Sequence, residues 1–143
     1  MNADKIPDLW PDELQASEVT PPSTILRTQA TSLAHRTKGV LEGRVKSGAK
    51  QEAIYHTLFV VAPALGNYQY ALLTITHDVK LYPVSMSAEE GRSWTEYNDE
   101  TEFIEGLRDR LSSAESRRVI GALLTQSRNP DEFITSLDDD LPF

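Results

Sequence analysis

The chain has 143 residues, with 22 acidic and 14 basic side chains and a net charge of −8 when its histidines are neutral. This length fits a single domain and leaves no room for two complete cores. The negative charge disfavours non-specific binding to nucleic acid or to anionic lipid, because both present phosphates. The sequence contains no cysteine, which excludes disulfides, thiolate nucleophiles and cysteine-bound zinc.

Neither a membrane segment nor a secretory signal is visible in the sequence. The longest apolar run, from Leu58 to Leu65, is far shorter than the roughly 20 residues that a helix needs to cross a bilayer. Residues 1–4 show neither the basic start nor the apolar stretch of a signal peptide. We therefore expect a cytoplasmic protein.

An extended arm and one helix are predicted at the start of the chain. Residues 1–20 contain prolines and no sustained periodicity, which predicts the arm. Trp10 stands between two prolines, and we interpret it as part of a cover over the core or of a linear docking motif. Pro21 and Pro22 suit a first helical turn, and Gly39 suits a helix end. The apolar residues at helical spacing between them are Ile25, Leu26, Ala30, Leu33 and Ala34.

Between residues 40 and 85 the apolar pattern changes from helical spacing to the alternation typical of strands. Residues 40–46 alternate, whereas 54–61 and 68–77 are rich in β-branched and aromatic residues. The predicted strands are 40–46, 54–61, 68–77 and 79–85, with a turn at Gly48. Short links between successive strands favour antiparallel pairing, so we expect a meander of three to four strands. Pro83 lacks the N–H that a ladder needs, which places the strand 79–85 at an edge. Residues 86–98 are predicted to form a loop.

Two or three helices are predicted after the sheet. Asp99 can cap a helix with Glu102 three residues on, and residues 112–115, Ser-Ser-Ala-Glu, form a second capping signal. Proline follows Asn129 and ends the last long helix, while residues 133–137 suggest one more short turn. The order of elements therefore predicts an α+β fold: an N-terminal helix, an antiparallel meander and C-terminal helices.

The predicted domain organisation is an arm at 1–20, a single α+β domain at 21–129, and a short helix with an acidic tail at 130–143. Acidic segments at both ends bracket a stretch, 21–56, in which bases exceed acids. The predicted core contains Leu26, Leu33, Leu58, Val60, Leu72, Ile75, Phe103, Leu107, Ile120 and Leu123.

Few residues form a pattern typical of catalysis. The three histidines, His35, His56 and His77, lack metal-binding spacing, and the sequence has no nucleophile or phosphate-loop motif. His56 and His77 lie in neighbouring predicted strands and are expected to be able to meet across the ladder. Because no carboxylates at ligand spacing accompany them, we interpret them as ordinary strand histidines. The sequence thus predicts no catalytic residues, no metal site and no cofactor.

The most specific motif stands at the C-terminal end of the sequence, which is Ser-Leu-Asp-Asp-Asp-Leu-Pro-Phe from residue 136 to residue 143. Its last part closely resembles the acidic tip of bacterial single-stranded-DNA-binding proteins, which ends in Asp-Asp-Asp, then Ile or Leu, then Pro-Phe with a free carboxylate. The resemblance covers only this tip, and nothing upstream is similar to that family's oligonucleotide-binding barrel or its Gly/Gln-rich linker. The matching residues are Asp138, Asp139, Asp140, Leu141, Pro142 and Phe143.

The resemblance implies a protein partner. In the resembled family the tip recruits replication, recombination and repair enzymes such as helicases, exonucleases and primosome proteins. Phe143 offers a ring for a hydrophobic pocket and a carboxylate for a basic residue, while the aspartates suit a basic rim. We therefore expect a non-enzymatic interaction module that recruits or inhibits a genome-maintenance enzyme or nuclease, with no direct binding to nucleic acid or membrane.

Two other functions remain open at this stage. One is a small acidic inhibitor of the immunity or antitoxin type, which would bind its target through the folded surface. The other is an enzyme on an unrecognised template, which a deep polar pocket around His56 or His77 would favour. For the tail itself, we expect either a free tip or one folded back on the basic residues Arg44, Lys46 and Lys50.

Overall fold

The computed structural model describes residues 5–88 and 93–129. Within them five strands form one antiparallel sheet in the order of the sequence, preceded by one helix and followed by two. The elements are α1 (Pro22–Arg36), β1 (Glu42–Lys50), β2 (Ala53–Ala62), a 3₁₀ turn (Pro63–Leu65), β3 (Tyr68–His77), β4 (Val84–Ser87), β5 (Thr95–Tyr97), α2 (Glu100–Leu111) and α3 (Ala114–Ser127). The predicted α+β class and the placement of its helices are confirmed, but the meander has five strands rather than three to four.

The first hairpin turns later than the sequence predicts. Gly48 lies within β1 and pairs with Tyr55, and the turn is formed by the two residues between Lys50 and Ala53. Gln51 at this turn has a positive φ of 57°. The end of β1 is exposed and polar on both faces, so it lacks the alternation that marks a half-buried strand.

The edge position predicted for the fourth strand is wrong. β4 begins at Val84, after Pro83, so the missing N–H of the proline removes no ladder bond. β4 pairs with β3 on one side and with β5 on the other. β5 lies in the segment predicted as a loop, because a strand of three residues is too short to show an alternating pattern.

The three helices cover one face of the sheet. α1 packs so closely on β1 that a Cβ at Gly43 would collide with the backbone of Ala30. Gly43 pairs with Val60, which is fully buried, so this contact lies on the core face. On the opposite face Lys46 stands 4.8 Å from the centre of the Phe59 ring. The sheet thus has one face packed against the helices and an opposite face that carries polar residues, as is common for antiparallel sheets.

The predicted caps fix the starts of α2 and α3. Asp99 accepts a hydrogen bond from the N–H of Glu102 at 2.9 Å, and Ser113 accepts one from Ser116 at 3.2 Å. The Ser116 hydroxyl also donates to the carbonyl of Arg110 at 2.7 Å, which ties the two helices together at their junction. No helix in the described part of the chain combines the length and apolarity needed to cross a membrane.

Eight of the ten predicted core residues are buried, and the other two, Leu33 and Ile120, are partly buried against the core. The short turn predicted at 133–137 lies outside the described residues. The N-terminal arm does not cover the core in the way that one interpretation of Trp10 proposed. Trp10 is 73% exposed and Leu9 is 82% exposed.

The arm joins the domain at Thr20. Its N–H donates to Glu100 at 2.8 Å, and its carbonyl accepts a hydrogen bond from the Tyr82 hydroxyl at 2.8 Å. Burial, followed by the carboxylates of Glu100 and Asp99, raises the pKa of Tyr82 to about 12. The hydroxyl therefore keeps its proton and remains a donor throughout the physiological range.

Substitutions at Gly43 and Gly121 test how closely α1 packs on β1. Gly121 lies inside α3 with open space around the position of a Cβ. We expect Gly121→Ala to stabilise the protein by about 0.5–1 kcal/mol, because alanine loses less backbone entropy in a helix. Gly43→Ala should destabilise it by about 1–3 kcal/mol, since α1 would have to move away from β1. Urea unfolding followed by circular dichroism measures both, and equal effects of the two substitutions would contradict the close α1–β1 contact.

Candidate functional site

A groove runs between α1 on one side and α2 with α3 on the other. Its floor is the core face of the sheet, formed by the buried side chains of Leu58, Val60 and Leu72, and its volume is about 1030 Å³. Apolar side chains from all three helices form most of the walls. They are Ile25, Leu33, Ile104, Leu107, Leu111, Ile120 and Leu124.

Three arginines, one from each helix, line the groove: Arg36, Arg108 and Arg117. Within residues 5–88 and 93–129, none of the three forms an ion pair with a carboxylate. Among the described residues that line the groove there is no aspartate or glutamate. A chain with a net charge of −8 therefore presents here a local positive surface around an apolar floor, which suits a ligand with apolar and acidic groups.

Small and polar residues keep the groove from being filled. Thr28, Gln29 and Ser32 face it from α1, and Gly121 leaves an opening in the wall that α3 forms. The sequence did not reveal this site because its arginines lie on three helices, and the whole sheet separates α1 from α2 and α3 in the chain. The partial burial of Leu33 and Ile120, both predicted as core, is the structural sign of the same groove.

The basic stretch predicted at 21–56 does not form one surface. Arg36 lines the groove, whereas Lys46 lies on the opposite face of the sheet and donates to Gln69 at 3.0 Å. Arg44 contacts Glu42 at 4.0 Å. Two of the six basic residues in this stretch, Arg44 and Lys46, thus have partners away from the groove. The stretch contributes one arginine to the groove, whereas α2 and α3 contribute two.

The two strand histidines do meet across the ladder, as the sequence allowed. His56 and His77 are both buried, and their Nε2 atoms are 3.0 Å apart. His56 Nδ1 lies 2.6 Å from the Ser47 hydroxyl, and His77 Nδ1 lies 2.7 Å from the carbonyl oxygen of Asp78. The described residues contain no group of three or more possible metal ligands.

One arrangement of protons satisfies all three contacts with both imidazoles neutral. The Asp78 carbonyl can only accept, so His77 carries its proton on Nδ1 and accepts at Nε2. His56 then donates from Nε2 and accepts the Ser47 proton at Nδ1. Burial, then the nearby His77 ring and the Arg27 guanidinium, lowers the pKa of His56 from 6.5, which agrees with a neutral His56 ring.

This network has the connectivity of a nucleophile, a base and an orienting group, from Ser47 through His56 to His77. Catalysis would also require a substrate cavity beside the hydroxyl. The lining of the groove contains none of these three residues. The direct effect of the network is to pair the polar atoms of two buried rings, which would otherwise carry a desolvation cost.

The tip predicted as the binding site, residues 138–143, lies outside the described residues. The preceding element, α3, contributes Arg117, Ile120 and Leu124 to the groove. Comparisons with protein-family models, with curated proteins and with solved structures returned no match. Functional inference for this chain therefore depends on the chemistry of the groove, the histidine network and the tip.

The histidine pair predicts a dependence of stability on pH. Because the pKa of His56 is lower in the folded state, the unfolded chain binds more protons as the pH falls through 6.5. We expect the free energy of unfolding to fall between pH 7.5 and pH 5.5. His56→Gln should flatten this dependence, whereas His35→Gln, at an exposed helix position, should leave it intact. Urea unfolding at three pH values measures the effect, and equal flattening in both variants would contradict the assignment to the pair.

Proposed function

We propose that this protein is a non-enzymatic protein–protein interaction module of the cytoplasm. Its tip, residues 138–143, binds a genome-maintenance enzyme or nuclease and recruits or inhibits it. The observation that carries the proposal is the sequence Asp-Asp-Asp-Leu-Pro-Phe, which resembles the tip of single-stranded-DNA-binding proteins. The partner accordingly offers a hydrophobic pocket with a basic rim.

Each part of the tip has a distinct role in this interaction. Phe143 fills the pocket and anchors the complex, as buried aromatic side chains do in many interfaces. Pro142 restricts the backbone, so less conformational entropy is lost on binding. The aspartates attract the basic rim over a distance, which raises the association rate more than the final affinity.

The position of the tip along the chain supports this role. The described domain ends at Asn129, so fourteen residues, 130–143, follow it. If extended at about 3.3 Å per residue, this segment spans up to roughly 45 Å. The tip can then reach a partner's pocket while the domain stays clear of the partner's surface.

A labelled peptide of residues 136–143 tests the proposal by fluorescence anisotropy against a helicase, exonuclease or primosome protein that binds such tips. We expect saturable binding that weakens at high salt. Phe143→Ala should reduce affinity by about thirtyfold or more, equivalent to about 2 kcal/mol for a hot-spot aromatic. One glycine added after Phe143 should cost a similar amount, because it displaces the terminal carboxylate.

Asp139→Ala in the same peptide is the matched control. It should lower the association rate at low salt and have a much smaller effect on affinity, as expected of a rim charge. Binding that is absent, or that is indifferent to Phe143, would contradict the proposal. Retention of a partner by the full chain carrying Phe143→Ala would then favour the inhibitor that acts through its folded surface.

The charge of the chain predicts its behaviour toward nucleic acid. We expect no appreciable binding to single- or double-stranded oligonucleotides at physiological salt, because a net charge of −8 repels the phosphate backbone. An electrophoretic mobility assay with random-sequence oligonucleotides measures this. Sub-micromolar binding would contradict the proposal that the partner is a protein.

A further inference from the structure

The groove and the tip of this chain have complementary chemistry. Arg36, Arg108 and Arg117 line the groove without a carboxylate partner among the described residues. The tip has three consecutive aspartates followed by Leu141, Pro142 and Phe143. Acidic groups meet basic groups and apolar groups meet an apolar floor in the same site, which is the pairing that protein interfaces use.

The chain is long enough for the tip to reach its own groove. Leu124 in the wall of the groove precedes the last described residue, Asn129, by five positions. Residues 130–137 form a spacer of eight residues, which spans up to about 26 Å when extended. α3 has 14 residues and a length of about 21 Å. The spacer can therefore return along the whole helix, to any part of the groove that α3 lines.

The other basic surface is a poorer match for the tip. Arg44 already contacts Glu42, and Lys46 donates to Gln69 while it stands over the Phe59 ring. These residues lie on β1, whose end is exposed and polar. The groove instead combines apolar walls with arginines that have no ion-pair partner among the described residues. It therefore offers contacts for both the acidic and the apolar half of the tip.

We propose that the groove between α1 and α2 with α3 is the docking site for residues 138–143 of the same chain. The domain holds its own tip in reserve, and a partner must compete with the groove for it. The docking itself needs only the groove and the tip. Its regulatory consequence rests on the proposed function, because it requires a partner that binds the same residues.

Paramagnetic relaxation tests the docking in the full chain. Because the chain has no cysteine, Ser136→Cys provides a unique site for a nitroxide label next to the tip. We expect strong broadening of methyl signals in the groove, at Leu111 and Leu124. The amide of Gln51 is a distant reference, since it stands seven residues, or about 23 Å, from Leu58 along the sheet.

Gly121 offers a matched pair of variants. Gly121→Phe places a ring in the open space of the groove and should abolish the broadening, whereas Gly121→Ala should preserve it. Phe143→Ala changes only the tip and leaves the groove intact. It should also weaken the broadening. Arg117→Gln should weaken it more than Arg118→Gln, because Arg118 is absent from the lining and pairs with Glu115 at 3.6 Å. Broadening that is absent, or unaffected by both Gly121→Phe and Phe143→Ala, would overturn the docking.

Partner binding separates this inference from the proposed function. If the groove holds the tip nine-tenths of the time, the full chain binds the partner about tenfold more weakly than a variant with a free tip. Gly121→Phe should raise the affinity for the partner by this factor of ten, whereas Gly121→Ala should leave it unchanged. Groove broadening without partner binding supports the docking and contradicts the proposed function. Partner binding that is equal in the wild type and in Gly121→Phe, with no broadening, contradicts the docking and supports the proposed function.

Discussion

The close contact between α1 and β1 at Gly43 determines how the rest of the domain is arranged. Because Gly43 has no side chain, the backbone of Ala30 lies directly against the sheet. α1 thereby covers β1 and the adjacent part of β2, and the remaining core face is covered by α2 and α3. Between these two layers the groove lies over the buried side chains of Leu58 and Val60, so its position follows from how the helices share one face.

Local physical signals made much of this fold predictable. β-branched and aromatic residues located β2 and β3, and the side-chain oxygens of Asp99 and Ser113 marked where helices begin. The predictions were wrong where no local signal exists: the end of β1 is polar on both faces, and β5 has three residues. The groove was missed for a related reason, since Arg36, Arg108 and Arg117 become neighbours only after the three helices pack. The contact between His56 and His77 was accessible to sequence reasoning because register brings neighbouring strands together.

The distribution of charge links the groove to the tail. The chain is acidic overall, yet three arginines that have no carboxylate partner among the described residues line one apolar groove. The consecutive aspartates at the end of the sequence stand beside apolar residues. Such an arrangement gives the groove and the tail opposite charges and a shared apolar character. Under the proposed function, the partner's pocket would have the chemistry of the groove, so the two sites would compete for one tip. Affinity for the partner would then depend on both sites rather than on the tip alone.

The most direct measurement replaces Phe143 in the full chain with a benzophenone amino acid and maps the cross-links that form on irradiation. If the tip docks in the groove, we expect cross-links within the same chain to residues that line it, such as Leu111, Ile120 and Leu124. Gly121→Phe should remove them, and Gly121→Ala should not. Cross-links confined to β1, or none within the chain, would contradict docking of the tip in the groove.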